Sequence, residues 1–382
     1  MRITFVENVR IPSERAHAYQ IVQTCAWLSR FGNTVTLVNP ARSKEEKDVF
    51  DYFGLEKNLF SHQTISAWDP LSSWKGFKYF AYLLQRFSFV RALRTWAAAH
   101  ETDLWYTRDP AMIDALRGVV SVKWALELHD SPLSNQARWE RIKPLVSRFV
   151  VISRGLRDHL MELGIPESSI CVAPDGYDPT AFQDSIGKTE ARKRIGVPEN
   201  AFVALYAGTF YEWKGVDLAV SAWGKTNADD HLVLIGGPEP DEQRIRSLIP
   251  ESANARIHIL PNMAHAEVLK IFSGADIGLL TSSPAHDIGK KYTSPIKQFE
   301  YLRTGLPVLA SDVPSSHEIL TPDVAMFYEP TEEGFIRAFN AMKQSVAWRE
   351  SAKNRGPILV EPYTWESRVR KIESCIMEMK SI

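Results

Sequence analysis

The chain has 382 residues, of which 45% are apolar and 24% charged, with 20 Gly and 22 Pro. At roughly 100–200 residues per domain this length holds two domains, and the composition excludes disorder, collagen and coiled coil. Lys plus Arg (45) nearly balance Asp plus Glu (46), so at a net charge of −1 no global field draws nucleic acid and any basic surface is local.

Strands and helices alternate from the start. The apolar runs Ile3–Val6, Val35–Val38, Leu104–Tyr106, Trp124–Leu128, Arg148–Ile152 and Ile170–Ala173 read as strands. Residues Ala16 to Arg30 carry a helical apolar face at Tyr19, Val22, Ala26 and Leu28, and Gly32 stops that helix. Residues Ser72 to His100 hold no Asp or Glu, eight aromatics, and the cations Lys75, Lys78, Arg86, Arg91 and Arg94. At about 100° per residue, Phe77, Phe80, Leu84 and Phe87 share one face, expected to meet the core. Lys75, Lys78, Tyr79, Tyr82, Arg86 and Phe89 share the other, which suits an anionic membrane surface at residues 72–96 better than nucleic acid.

The second half repeats the plan with strands at Phe202–Tyr206, His231–Ile235, Arg256–Leu260, Ile277–Leu280, Val308–Ala310 and Ala325–Tyr328. The polar stretch Pro179–Gly187 reads as the linker. The predicted fold class is α/β, with two doubly wound parallel-sheet domains, 1–180 and 181–362, facing a central cleft. A final helix, 363–382, has an apolar stripe at Val369, Ile372, Ile376 and Met379 and is expected to pack back on the first domain.

Cys25, Cys171 and Cys375 sit at no metal-site or redox-motif spacing, and their odd number argues against a disulfide framework. A reducing cytoplasm is the expected compartment. The N-terminus enters a strand directly, without a signal-peptide pattern, and no apolar run is long enough to span a bilayer.

Two segments carry chemistry. In Tyr292-Thr-Ser-Pro-Ile-Lys-Gln-Phe-Glu-Tyr301, Ser294 is an expected N-cap and Pro295 the first residue of a helix ending near Arg303, with Gly305 behind it. The amides of Ile296 and Lys297 at its positive end suit a diphosphate, and Glu300 suits ribose hydroxyls. In Gly208-Thr-Phe-Tyr-Glu-Trp-Lys-Gly215, Lys214 opens the next helix and suits phosphate charge. No Gly-x-Gly-x-x-Gly follows a strand and no P-loop is present, which argues against a dinucleotide oxidoreductase or P-loop enzyme.

Gly208 to Gly215, Leu234-Ile-Gly-Gly-Pro-Glu239, Ser294-Pro-x-Lys-x-x-Glu-Tyr301, Gly305-Leu-Pro-Val308 and Ser311-Asp312 together resemble the second domain of family-4 glycosyltransferases with the GT-B fold. Asp103 to Asp109, Glu127-Leu-His-Asp130, Val151-Ile-Ser153 and Pro174-Asp-Gly-Tyr-Asp178 resemble that family's first domain. The resemblance implies a retaining, metal-independent transfer from a nucleotide-diphosphate sugar to a glycan or lipid-linked glycan, in polysaccharide or glycolipid synthesis. It implies no cofactor besides that co-substrate. Carried over, His129 is the active-site histidine, Lys214 the diphosphate lysine and Glu300 the ribose glutamate. Gly208, Thr209, Gly236, Gly237, Ser294, Pro295, Ile296 and Lys297 complete the donor side. Arg10, Ser13, Arg15, His17, Arg108 and Asp130 are expected on the acceptor side.

The chain departs from that pattern. Thr209 replaces a basic residue, Tyr292 replaces the first of two paired glutamates, and the polar stretch Glu7 to His17 replaces a glycine-rich loop. Lys290, Lys291 and Lys297 are the candidate substitutes for the missing charge. A two-carboxylate hydrolase using Glu127 and Asp130 is the competing sugar chemistry. A nucleotide-sugar-binding protein without turnover is the non-enzymatic alternative.

Overall fold

The computed structural model describes residues 1–13, 15–41, 48–68, 78–184, 186–237 and 239–378. They divide into two compact units. One comprises Met1–Ile152, Leu156–Ala173 and Trp365–Ile382; the other comprises Ser153–Gly155 and Pro174–Thr364.

In the first unit, β1 (Arg2–Val6), β2 (Thr34–Pro40), β3 (Ser61–Ile65), β4 (Leu104–Thr107), β5 (Trp124–Leu128), β6 (Val146–Val151) and β7 (Ile170–Val172) form one sheet. Its order is β3-β2-β1-β4-β5-β6-β7, and every pairing is parallel. In the second unit, β8 (Phe202–Ala207), β9 (Asp230–Ile235), β10 (Ile257–Leu260), β11 (Ile277–Leu280), β12 (Val308–Ser311) and β13 (Ala325–Tyr328) lie in the order β10-β9-β8-β11-β12-β13. These are parallel too. Strand order reverses direction beside β1 in one sheet and beside β8 in the other, which is where doubly wound sheets open a ligand crevice.

All twelve strands read from the sequence are present. The additional strand is β3, Ser-His-Gln-Thr-Ile, which has one aliphatic residue and lies half-buried at a sheet edge. Polar partners hold it: Trp96 Nε1 donates to Gln63 Oε1 at 2.9 Å, and His62 Nε2 lies 2.7 Å from Asn39 Oδ1. The helix Ala16–Arg30 has the predicted bounds. The C-terminal helix Trp365–Met377 buries Val369, Ile372 and Ile376 against Ile21, Cys25 and the first sheet. Three buried aliphatic side chains contribute at most about 5–9 kcal/mol before ordering costs.

The helix Lys78–Ala98 corrects the expected face assignment. Lys75 and Phe77 lie outside the described residues, as does the side chain of Lys78. The buried residues are Ala81, Gln85, Phe89, Leu93 and Ala97, at four-residue spacing. Phe89, expected on the outer stripe, is fully buried, while Phe80 and Phe87, expected in the core, are 54% and 71% exposed. Gln85 decides the rotation: its Nε2 donates to Asn8 Oδ1 at 3.1 Å beneath the helix, so a polar residue occupies the inner face. No helix of the described residues is long and apolar enough to cross a membrane.

In the second unit the helix Ile296–Arg303 is locked to the sheet by Tyr301. Its hydroxyl accepts the Ala207 amide of β8 at 2.9 Å. The ring crosses β11 at Gly278, where a Cβ would lie 2.6 Å from ring carbon Cδ2. Only a residue without a Cβ leaves Tyr301 that path. We expect Gly278→Ala to destabilise the protein by about 1–3 kcal/mol, as overpacking does, measured by urea unfolding. A shift below about 0.5 kcal/mol, within the range of a neutral surface change, would show that the ring adjusts freely.

Candidate active site

In the first unit, side chains from the carboxyl ends of β4 and β5 and from the C-terminal helix converge on the buried carboxylate of Glu127. Tyr106 donates its hydroxyl to Oε2 at 2.5 Å, and Arg368 of the C-terminal helix donates Nη2 to Oε1 at 2.9 Å. His129 Nε2 lies 2.6 Å from Oε1, and Arg108 Nε lies 3.8 Å from the same oxygen. Burial alone would raise the Glu127 carboxyl, but Arg368, His129 and Arg108 outweigh it and hold it well below its ordinary value. Burial and the Arg108 cation lower His129 to about 3, against the pull of Glu127. The histidine is therefore neutral at physiological pH. An ionised Glu127 assigns its proton to Nε2 and leaves Nδ1 as an acceptor.

Asp130 accepts the Ser131 amide at 2.7 Å, while His129 is held by Glu127. Arg108 does not pair with Asp103 or Asp109: its Nη1 donates to Gln20 Oε1 at 2.9 Å and to the His17 carbonyl at 3.3 Å. Asp103 instead accepts from Arg2, and Asp109 accepts the Ala111 amide at 2.8 Å. The same geometry argues against Glu127 as the acid of a two-carboxylate hydrolase. A general acid needs a raised pKa, and Glu127 is held ionised by two arginines within 4 Å.

Glu7, at the end of β1, accepts the Arg108 amide and the Thr107 hydroxyl. Burial first, and Asp109 second, raise it to about 8. Ser13 is buried in the loop that follows, whereas Arg10 and Arg15 are exposed and His17 is half-buried.

In the second unit, Gly208 follows β8 and Gly236 and Gly237 follow β9. All three have positive φ, and a Cβ on Gly236 would lie 2.9 Å from the Gly208 carbonyl oxygen. The two strand ends approach closely because these residues have no side chains. The Thr209 carbonyl accepts the Tyr206 hydroxyl at 2.7 Å. Lys214 ends a short 3₁₀ turn, Glu212–Lys214, and Gly215 caps the helix Val216–Ala222. Thr281, just beyond β11, fixes that turn by donating Oγ1 to the Lys214 carbonyl at 2.6 Å. Burial lowers the Lys214 ammonium to about 8, against Asp175, which raises it.

Lys297 is the most unusual group here. It is 8% exposed, and its Nζ lies 3.4 Å from the centre of the Tyr206 ring. That Nζ has no hydrogen-bond acceptor among the described residues. Burial, then the Lys214 cation, hold it well below its ordinary value. A Cβ built on Gly208 would meet it at 3.7 Å, so Lys297 stands beside the glycine turn. Lys290 is half-buried, and Lys291 is exposed and pairs with Asp287 at 3.5 Å.

Ser294 does not cap its helix. The helix runs Ile296–Arg303, Pro295 is its N-cap residue without a side-chain bond, and Ser294 Oγ accepts the Asp175 amide at 3.2 Å. Pro295 is itself extended, with φ −68° and ψ 126°, so the helix starts one residue later than expected. Glu300 is buried and accepts from His265 Nε2 at 2.6 Å. Burial opposes charge on His265, but the Glu300 carboxylate outweighs it and raises the imidazole. Tyr292 is buried, 5% exposed.

Sequence reasoning missed Arg368 and His265, and considered Glu127 only as a carboxylate of the competing hydrolase. Arg368 lies between the core residues Trp365 and Val369, where nothing in the local pattern announces a buried cation. His265 lies 35 residues from Glu300 and joins it only through the fold.

Residues 18–181 match Glycosyltransferase Family 4 and residues 187–357 match Glycosyl transferases group 1, one in each half of the chain. The chain belongs to the family-4 glycosyltransferases of GT-B fold. Among curated relatives, a D-inositol 3-phosphate glycosyltransferase of Kineococcus radiotolerans is 27% identical over 39% of this chain. The match spans 36% of that relative's length. Sucrose-phosphate synthase from Thermosynechococcus elongatus superposes with a TM-score of 0.80 at 17% identity, covering 100% of this chain and 99% of that one. Anabaena Alr3699/HepE in complex with UDP and glucose gives 0.78 at 14%, covering 99% and 100%. These structures share the fold of this glycosyltransferase.

The ion pair beneath His129 yields a pH-resolved prediction. In Arg368→Ala the buried Glu127 charge loses its main partner, which costs about 3–5 kcal/mol near neutral pH. In the wild type, Glu127 is held below its unfolded value of about 4.3. Its contribution is thus present above that pH and lost as pH falls through the folded value. In the variant the folded value rises, so the deficit should narrow as pH falls from about 8 to about 4. A deficit in urea unfolding that stays constant over that range would remove the ion pair as its cause.

Proposed function

We propose that this glycosyltransferase moves a sugar from a nucleoside-diphosphate sugar to a glycan or lipid-linked glycan, with retention of anomeric configuration and without a metal. The observation that carries the donor assignment is Lys297: a buried ammonium without an acceptor, beside the glycine turn and Lys214, at the start of the Ile296–Arg303 helix. A diphosphate supplies the acceptors that these groups lack. It places negative charge where the first amides of a helix have no intrahelical partner. The solved complexes of the Anabaena protein with UDP and with UDP-glucose support a donor of that class.

In the proposed step the bond from the anomeric carbon to the diphosphate oxygen breaks, and its electron pair stays on the phosphate. Lys214, Lys297 and the amides of Ile296 and Lys297 stabilise that developing charge. The acceptor hydroxyl enters on the same face of the sugar and gives its proton to the departing phosphate oxygen. Neutral His129 accepts a sugar hydroxyl at Nδ1 and positions the ring. Glu300, oriented by His265, takes the ribose hydroxyls, and Gly208, Thr209, Gly236, Gly237, Ser294 and Pro295 shape the remaining donor contacts. Arg10, Ser13, Arg15, His17, Arg108 and Asp130 serve the acceptor side.

The second alternative is a nucleotide-sugar-binding protein without turnover, which Tyr292 in place of a glutamate favours. Slow release of free sugar from a nucleotide sugar without acceptor, with retention seen by proton NMR, supports the transferase. Binding without any release supports the alternative.

The lysines set a proton-linked test. Diphosphate binding charges ammonium groups that burial holds down, Lys214 to about 8. Calorimetry with UDP, GDP and ADP in buffers of differing ionisation enthalpy should show proton uptake near pH 8, and affinity should fall as pH rises further. Lys214→Ala should weaken binding at least tenfold, roughly 1.4 kcal/mol. Glu300→Gln should weaken it several-fold by making a charge-assisted bond neutral. Unchanged affinities would refute the donor site.

We propose further that the outer face of the Lys78–Ala98 helix rests on an anionic membrane. Tyr79, Tyr82, Leu83, Arg86, Phe87, Arg91 and Arg94 recur at three- and four-residue spacing along it. Tyr79 and Phe87 are 76% and 71% exposed. Cations at an anionic surface contribute about 1 kcal/mol each, and the aromatics add an apolar contribution that salt does not screen. The protein should sediment with anionic vesicles and far less with neutral ones. Phe87→Ser with Arg86→Glu and Arg91→Glu should abolish sedimentation and leave nucleotide affinity unchanged. Wild-type protein left in the supernatant at low salt would exclude the membrane.

A further inference from the structure

Cys171 and Cys375 are 204 residues apart in sequence, yet their Sγ atoms lie 2.6 Å apart. Cys171 belongs to β7, the edge strand of the first sheet, and Cys375 to the last turns of the C-terminal helix. Both are free thiols. The two thiols face each other in direct contact, the arrangement from which a disulfide closes. We propose that Cys375 is a thiol modification site with Cys171 as its built-in resolving partner, and that closure of the pair staples the C-terminal helix to the first sheet.

The surroundings divide the two roles. Cys171 is buried and Cys375 half-buried, so an incoming reagent meets Cys375 first. The Cys171 thiol bonded to it lowers Cys375 to about 7, with help from Lys371 and Arg148 against burial and Glu378. Its thiolate is therefore present at neutral pH, as attack requires. Cys171 is pushed in the opposite direction, which suits the second nucleophile rather than the first. The third cysteine, Cys25, is fully buried, and burial raises it. Arg148 already ties this end of the helix to β6, donating Nε to the Cys375 carbonyl and Nη1 to the Ser168 carbonyl, each at 2.7 Å.

The oxidant is a low-molecular-weight disulfide. The Cys375 thiolate attacks one of its sulfurs, the small S–S bond breaks, and one thiolate leaves. Cys171 then gives up its proton and attacks the Cys375 sulfur of the mixed disulfide, expelling the second thiolate. Two protein thiols are oxidised, the small disulfide is reduced to two thiols, and the two protein protons end on them. Arg368 lies seven residues, two helical turns, before Cys375 on the same helix. The staple thus holds the element whose guanidinium neutralises Glu127.

The test uses the full chain in oxidised and reduced glutathione, read by intact mass, peptide mapping and urea unfolding. Oxidised wild type should lose two hydrogen masses, retain no glutathione, yield a Cys171–Cys375 cross-linked peptide, and unfold at higher urea than the reduced protein. Cys171→Ser should stop at a glutathione adduct on Cys375. Cys375→Ser should gain neither adduct nor cross-link, which also tests whether Cys171 and Cys25 are shielded. A wild type that keeps its reduced mass, or retains the adduct without closing, overturns the pair. A cross-link that leaves the urea midpoint unchanged overturns the staple. None of these readouts depends on sugar transfer.

Discussion

Parallel pairing is the constraint on which both units depend. Every strand in each sheet runs the same way, so every strand end that carries a functional group opens at the same edge. In the first unit Glu7, Arg108 and His129 follow β1, β4 and β5, three adjacent strands, although 122 positions separate the first from the last. In the second, Gly208 and Gly236 follow neighbouring β8 and β9, and Thr281 follows β11. A parallel sheet needs a long return for each strand. The sequence therefore scatters what the edge collects.

The two units handle buried charge in opposite ways. Glu127 is answered on three sides, by Tyr106, His129 and Arg368, and this complete pairing makes a buried carboxylate tolerable. Lys297 is buried with only an aromatic ring beneath its ammonium. A ring face attracts a cation but does not accept its hydrogen bonds as an oxygen does. The first arrangement is closed and fixes the tautomer of a histidine. The second leaves an ammonium with a ring face and no oxygen acceptor among the described residues.

Legibility followed the kind of signal each element carries. Aliphatic strands such as Val308–Ser311 and the helix Ala16–Arg30 announce themselves, because their periodicity is the cause of their burial. The edge strand β3 is held by side-chain bonds of Gln63 and His62 and shows no apolar pattern. The Lys78–Ala98 helix misled for a related reason. Its most aromatic stripe is not its inner one, because Gln85 meets Asn8 below and Phe80 and Phe87 turn outward. Lys214, Lys297, Glu300 and His129 stand in local motifs, which is why the sequence singles them out. Arg368 and His265 act across 241 and 35 residues, and only the fold brings them to their carboxylates.

The departures from the family pattern form a consistent set once the second unit is folded. Thr209 offers no cation on the β8 side of the glycine turn. Arg244, which reaches the Phe210 carbonyl beside that turn, is committed to Asp217 as well. Of the three candidate lysines, Lys291 is exposed and paired, Lys290 is half-buried, and Lys297 stands beside the turn. It comes from the first turn of the Ile296–Arg303 helix, whose dipole adds positive potential of the same sign. Tyr292, four residues before that helix, is buried. The carboxylate that acts on the Lys297 ammonium is Glu300, and Glu300 is already engaged by His265, so the ammonium keeps a ring face in place of an ion pair.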